Sequence, residues 1–124
     1  MKRIFSPIAV LALLVGLGAG TVAAMHNHLT RSAPAEDETL ASSPRTIELW
    51  FKEKPSVAFS SINLLAADGA KLAVGKPTAG ADSLAVRATL GAALGPGTYT
   101  VVWRTASDDG HAVRGRFAFK VAGE

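Results

Sequence analysis

The sequence predicts an all-β domain, an antiparallel sandwich of about seven short strands, placed after an amino-terminal export signal. Two observations carry the sandwich. From Arg45 onward apolar residues recur at every second position in short runs, which is the period of a strand with one buried face. Gly, Pro and Asp clusters separate these runs, as turns between antiparallel strands require.

The chain has 124 residues. Lys2 and Arg3, the apolar run Ile8 to Leu17 and the small residues Gly18 to Ala24 form the three zones of a signal peptide. That apolar run is shorter than the roughly 20 residues a spanning helix needs. An uncleaved anchor stretched over Ile4 to Ala24 is the second reading. Setting residues 1–25 aside as the signal leaves residues 26–124, 99 positions and a single domain with one core.

Composition narrows the function classes. The net charge of +3 includes Lys2 and Arg3, so the exported part balances at +1. That gives no case for nucleic acid, which would want a clustered basic face. There is no cysteine, so the apolar core alone must hold the fold and no thiolate site exists. Met1 and Met25 are the two methionines, too few for a set of soft thioether ligands to Cu(I). A bound metal would meet nitrogen and oxygen.

A short first strand falls at His28 to Arg31, and the acidic Glu36-Asp37-Glu38 reads as a solvated loop. Ile47, Leu49 and Phe51 face the core, with Glu48, Trp50 and Lys52 on the opposite side. Pro55 ends that strand. Val57 and Phe59, followed by Ile62 and Leu64, imply a bulge or bend between Phe59 and Ile62. Asp68-Gly69 is a hairpin turn, followed by a weak strand at Leu72 to Val74 and a loop from Lys76 to Gly80. Leu84, Val86, Ala88 and Leu90 alternate again, and Gly95-Pro96-Gly97 reverses the chain. Tyr99, Val101 and Trp103 are the inward set of the next strand, and Phe117, Phe119 and Val121 that of the last. These aromatics read as core rather than as a ligand cage, whereas Trp50 is left exposed or covering one end. Ser107 to Gly110 turns between the last two strands. No internal repeat and no nucleotide-binding glycine loop is present.

The chain has three histidines, His26, His28 and His111. The first two flank Asn27 beside the expected cleavage point. The third closes the triplet Asp109-Gly110-His111. Cleavage before His26 would create an amine, an imidazole, a deprotonatable amide at Asn27 and a second imidazole within three residues, a chelate suited to the tetragonal nitrogen and oxygen preference of Cu(II). Asp109 and His111 add a carboxylate and an imidazole from one turn. The plainer alternative is that Asp108, Asp109 and Gly110 merely make a tight turn.

Several separated segments resemble the CopC family of periplasmic copper-resistance proteins, across essentially all of residues 26–124. They are His26-Asn27-His28-Leu29, Ser32-Ala33-Pro34-Ala35, Ile47 to Glu53, Leu94 to Trp103 and Ser107 to Gly115. The resemblance implies a Greek-key β-sandwich or barrel, cupredoxin-like or immunoglobulin-like, that holds Cu(II) in the periplasm. It implies metal ligands at His26, His28, Asp109 and His111. Glu53 matches a glutamate near the metal in some members, as a weak ligand or a neighbour of the ligands. It also implies a partner, a membrane copper transporter of CopD type.

Three departures stand out. Lys52 replaces the family's serine before Glu53. The methionine-rich segment of some members is missing. Signal peptidase favours a small residue before the cut, so cleavage after Ala24 would leave Met25 at the terminus, whereas the expected start is His26. The leading function is a copper carrier for resistance or homeostasis, not an enzyme. Competing with it are a copper-dependent oxidative enzyme of histidine-brace type and a metal-free sandwich module for protein contacts.

Overall fold

The computed structural model describes residues 27–107 and 109–123. The strands are β1 (Leu29–Ala33), β2 (Thr39–Leu40), β3 (Thr46–Phe51), β4 (Ser61–Leu65), β5 (Lys71–Leu72), β6 (Thr78–Ala79), β7 (Ala85–Thr89), β8 (Gly97–Ala106) and β9 (Ala112–Val121). One sheet has the order β1-β3-β7-β6 and the other β2-β9-β8-β4-β5. Strands distant in sequence lie side by side, β3 against β7 and β8 against β4, so the chain crosses repeatedly between the layers of a Greek-key sandwich. Residues 1–25, assigned to the export signal, lie outside the described residues. Among the described residues no helix is long and apolar enough to cross a membrane.

The period-two runs become the facing layers. Ile47, Leu49 and Phe51 of β3, Val86 and Ala88 of β7, Ile62 and Leu64 of β4, and the alternating residues of β8 and β9 form one buried cluster. Each large apolar side chain fully removed from water contributes roughly 1.5–3 kcal/mol. With no cysteine to cross-link the layers, this cluster joins the sheets. Phe51 of β3 meets Trp103 of β8 edge-on, ring centroids 5.3 Å apart. Tyr99 and Phe119 stack within the second sheet at 5.8 Å.

The structure differs from the sequence reading at several places. Among the described residues strands number nine rather than about seven, the additions being the two-residue pieces β2 and β6, the latter inside the expected loop at Lys76 to Gly80, while the weak strand expected at Leu72 to Val74 is β5 at Lys71–Leu72. β1 begins one residue later than expected, at Leu29, and runs to Ala33. Val57–Phe59 is a 3-10 turn, so the expected bend is real, but Phe59 is 65% exposed while Val57 packs partly buried against the core. Leu84 stands outside β7, which starts at Ala85.

Glu48, placed on the outward face by alternation, is buried. It lies opposite Arg87 in the β3–β7 register. Its Oε1 is 3.2 Å from Arg87 Nη2 and its Oε2 accepts the backbone N–H of Ala81 at 2.7 Å. Those partners make burial of the carboxylate tolerable. Trp50 is half-buried, with the Arg31 guanidinium 3.8 Å from its ring centroid, a cation–π contact worth about 0.5–1 kcal/mol where exposed.

Candidate metal centre

The amino-terminal segment and the β8–β9 turn lie at one end of the sandwich, linked by the stretch from Lys52 to Ser56. β3 ends at Phe51 opposite Leu29, where β1 begins. Beyond that pair, Lys52 N–H donates to His28 O at 2.9 Å. The Asn27 side chain continues the ladder: its Nδ2 donates to Glu53 O at 3.0 Å, and its Oδ1 accepts from Glu53 N–H at 2.7 Å and from His28 N–H at 3.0 Å. Asn27 is buried, so its amide acts as an extra strand rung that fixes the backbone of His28. Past buried Pro55, Ser56 N–H donates to Ala106 O at 2.8 Å. The stretch from Lys52 to Ser56 thus ties the start of β1 to the end of β8.

The turn after β8 is built around Asp109. Gly110 N–H donates to Ser107 O at 2.9 Å, and Gly110 takes a φ of 86°, a left-handed conformation natural to glycine. Asp109 Oδ1 accepts from Ser107 Oγ at 2.7 Å and from His111 N–H at 3.0 Å. Its Oδ2 lies 3.0 Å from His111 Nδ1. The His111 ring, then the His111 backbone N–H and the Ser107 hydroxyl, hold the Asp109 carboxyl well below the usual carboxylate range. An ionised carboxylate only accepts, so the Asp109 contact favours a proton on His111 Nδ1, and in a neutral ring the lone pair then lies on Nε2. A histidine oriented by a carboxylate at one nitrogen is the usual arrangement for metal ligation through the other.

The site residues expected from sequence therefore fall as follows. Asp109 and His111 are in direct contact and exposed. His28 and Glu53 are exposed neighbours joined through Asn27, at the same end of the sandwich. His26 lies outside the described residues. Among the described residues no group of three or more histidine, cysteine, aspartate or glutamate side chains is gathered as a metal site. Two contributors escaped the sequence reading. The Asn27 side chain gave no signal beyond its place between two histidines. Ser107, two residues before an aspartate, carries the ordinary signature of a hydroxyl-stabilised turn. The donors at this end are imidazole and carboxylate, borderline and hard groups that suit Cu(II) better than Cu(I).

Residues 29–122 match the family described as the CopC domain. The chain is 31% identical over 124 residues to copper resistance protein C of Xanthomonas campestris pv. juglandis, covering 94% of this chain and 97% of that protein. It is 33% identical over 98 residues to protein YobA of Escherichia coli K12, covering 77% and 78%. The fold matches the crystal structure of CopC from Methylosinus trichosporium OB3b with a TM-score of 0.73 at 29% identity, over 80% of this chain and 96% of that one. It also matches PcoC of Escherichia coli, described as a methionine-rich copper resistance protein, with a TM-score of 0.71 at 33% identity, over 77% and 98%.

Proposed function

Because this chain belongs to the CopC family of copper resistance proteins, we propose that it binds Cu(II) in the periplasm as cargo and passes it to a membrane copper transporter of CopD type. Residues 1–25 serve as the export signal and residues 26–124 as the copper-binding domain. The observation that carries this reading is the Asp109–His111 contact of 3.0 Å, at the end of the sandwich where Asn27 anchors His28.

In this reading the amine and ring of His26 and the rings of His28 and His111 supply nitrogen, while Asp109 exchanges its contact with His111 Nδ1 for the metal and supplies oxygen. Glu53 stands beside them as a weak oxygen donor. The Asn27 amide nitrogen can join the terminal chelate, because position 27 is not proline and its proton can be lost to the metal. Imidazole and carboxylate hold Cu(I) less well than Cu(II), and this chain has only Met1 and Met25 as thioethers. Reduction therefore provides a route to release.

The test is the intact mass of protein exported to the periplasm, with and without one equivalent of Cu(II). A terminus at His26 with one copper retained, and lost on adding ascorbate, is expected. A terminus at Met25 with no copper retained overturns the terminal chelate and leaves a sandwich module for protein contacts.

A further inference from the structure

The five-stranded sheet is electrostatically one-sided. Its strands carry Arg104, Arg114, Arg116, Lys120 and Lys71, and no aspartate or glutamate. All five basic side chains are exposed. Arg104 of β8 is directly opposite Arg114 of β9, and Arg116 follows two residues on, on the same face. Among the described residues none of the three arginines has a carboxylate within salt-bridge distance. Like charges directly opposite one another destabilise a sheet, so the pair costs stability and nothing described offsets it.

The same strand has a free edge. Ala118 O, Lys120 N–H and Ala122 N–H bond to the segment Asp37 to Leu40 on the side away from β8. The β8–β9 register is unbroken from Ala112 to Val121. The alternation therefore sends the backbone N–H and C=O of Arg114 and Arg116 to that same side, where β2 does not reach. Arg116, with Gly115 and Phe117, borders a cleft of about 500 Å³ between β9 and β1, lined also by Leu29 to Ser32, Trp103 and Glu36.

We propose that the β9 edge at Arg114–Arg116 docks an extended acidic segment of a partner protein, which adds as a further strand and sets its carboxylates against Arg104, Arg114 and Arg116. Main-chain hydrogen bonds supply affinity in such strand addition and side chains supply specificity. Charges on an edge also serve simply to block unwanted pairing. That explanation covers Arg114 and Arg116 but not Arg104, which lies on an interior strand. A second copy pairing edge to edge would set arginines against arginines, and pairing with β1 would bring Arg31 to them. An acidic strand removes the repulsion instead. β9 begins at Ala112, directly after His111, so the docked segment would arrive beside the Asp109–His111 turn. The inference stands on charge and strand pairing and does not depend on the metal assignment.

The test uses the exported protein, copper-free and copper-loaded, with a capped peptide Thr-Glu-Val-Glu-Thr-Glu-Val-Glu as probe. Amide hydrogen exchange at Arg114 and Arg116 is expected to slow at least tenfold at saturation. Combining Arg104→Glu with Arg114→Glu should weaken binding at least tenfold, Arg104→Gln with Arg114→Gln should weaken it less, and Lys71→Glu should leave it unchanged. Thermal melts confirm that each variant folds. Unslowed exchange at these two amides, equal binding of a peptide with lysine for glutamate, or indifference to charge reversal would each overturn the proposal. So would binding to phosphatidylglycerol vesicles, or self-association, without an effect of the peptide on the two amides. Peptide binding that persists in protein unable to retain copper would count against the metal reading alone.

Discussion

Asn27 does at the scale of one side chain what a strand partner does at the scale of a ladder. Its three hydrogen bonds hold Glu53 and His28, and each such bond contributes about 0.5–1.5 kcal/mol net. Asn27→Ala should therefore destabilise the fold by roughly 1–3 kcal/mol and, by freeing the segment before β1, lower Cu(II) affinity about tenfold or more, since ordering the loosened segment then opposes binding. Denaturant unfolding and competition against a chelator measure the two effects. Unchanged copper affinity would show that the anchoring is irrelevant to the metal. Asp109 makes a second residue-scale case. Its carboxyl is depressed chiefly by the His111 ring, so the ionised turn is favoured above the ordinary aspartate value and loses that advantage as pH falls through the depressed one. A carbon-13 titration of Asp109 should have its midpoint below the ordinary value of about 3.9, and His111→Ala or Ser107→Ala should move it back upward. An ordinary midpoint in the native protein would contradict the hydrogen bonding of the turn.

Between residue and molecule, β8 and β9 act as a unit. Ten consecutive pairs join them, from Gly97–Val121 to Ala106–Ala112. This ribbon carries the inward aromatics on one side and the arginines on the other, and it ends in the Asp109–His111 turn. Gly115 lies opposite Trp103 because the indole fills the space a side chain would need: a Cβ there would sit 2.6 Å from Trp103 Cζ2 and 2.9 Å from Cε2. Trp103 is itself packed edge-on against Phe51. Gly115→Ala should therefore cost about 1–3 kcal/mol, the usual range for overpacking, and shift the urea midpoint down. Wild-type stability in that variant would mean that the indole has room to move. Strand β3 shows how an element can mislead. Alternation assigns Glu48 to water, yet its neighbour β7 brings Arg87 beside it, and a paired carboxylate becomes acceptable where an unpaired one is not.

At the scale of the whole molecule, the sandwich is legible because burial of one sheet face imposes a period of two on the chain. Ile47, Leu49, Phe51, Val101, Phe117 and Phe119 were readable as core for that reason, and all are buried. The turns at Asp68-Gly69 and Ser107 to Gly110 were equally readable, since their conformations demand particular residues. The two-residue strands β2 and β6 were not, because so short a pairing leaves no repeat to detect. Nor was the 3-10 turn at Val57–Phe59, where apolar residues occur without being buried. For the candidate site, the sequence by itself determined which imidazole and carboxylate side chains are available, the closeness of Asp109 and His111 along the chain and the family, because residue type and local spacing are properties of the chain. Only the tertiary structure decided that the start of β1 and the β8–β9 turn share one end, that the stretch from Lys52 to Ser56 ties them, with Asn27 bonded to Glu53, and that Arg104, Arg114 and Arg116 gather on one face. Those relations depend on strand register, which is fixed by contacts between segments far apart in the chain.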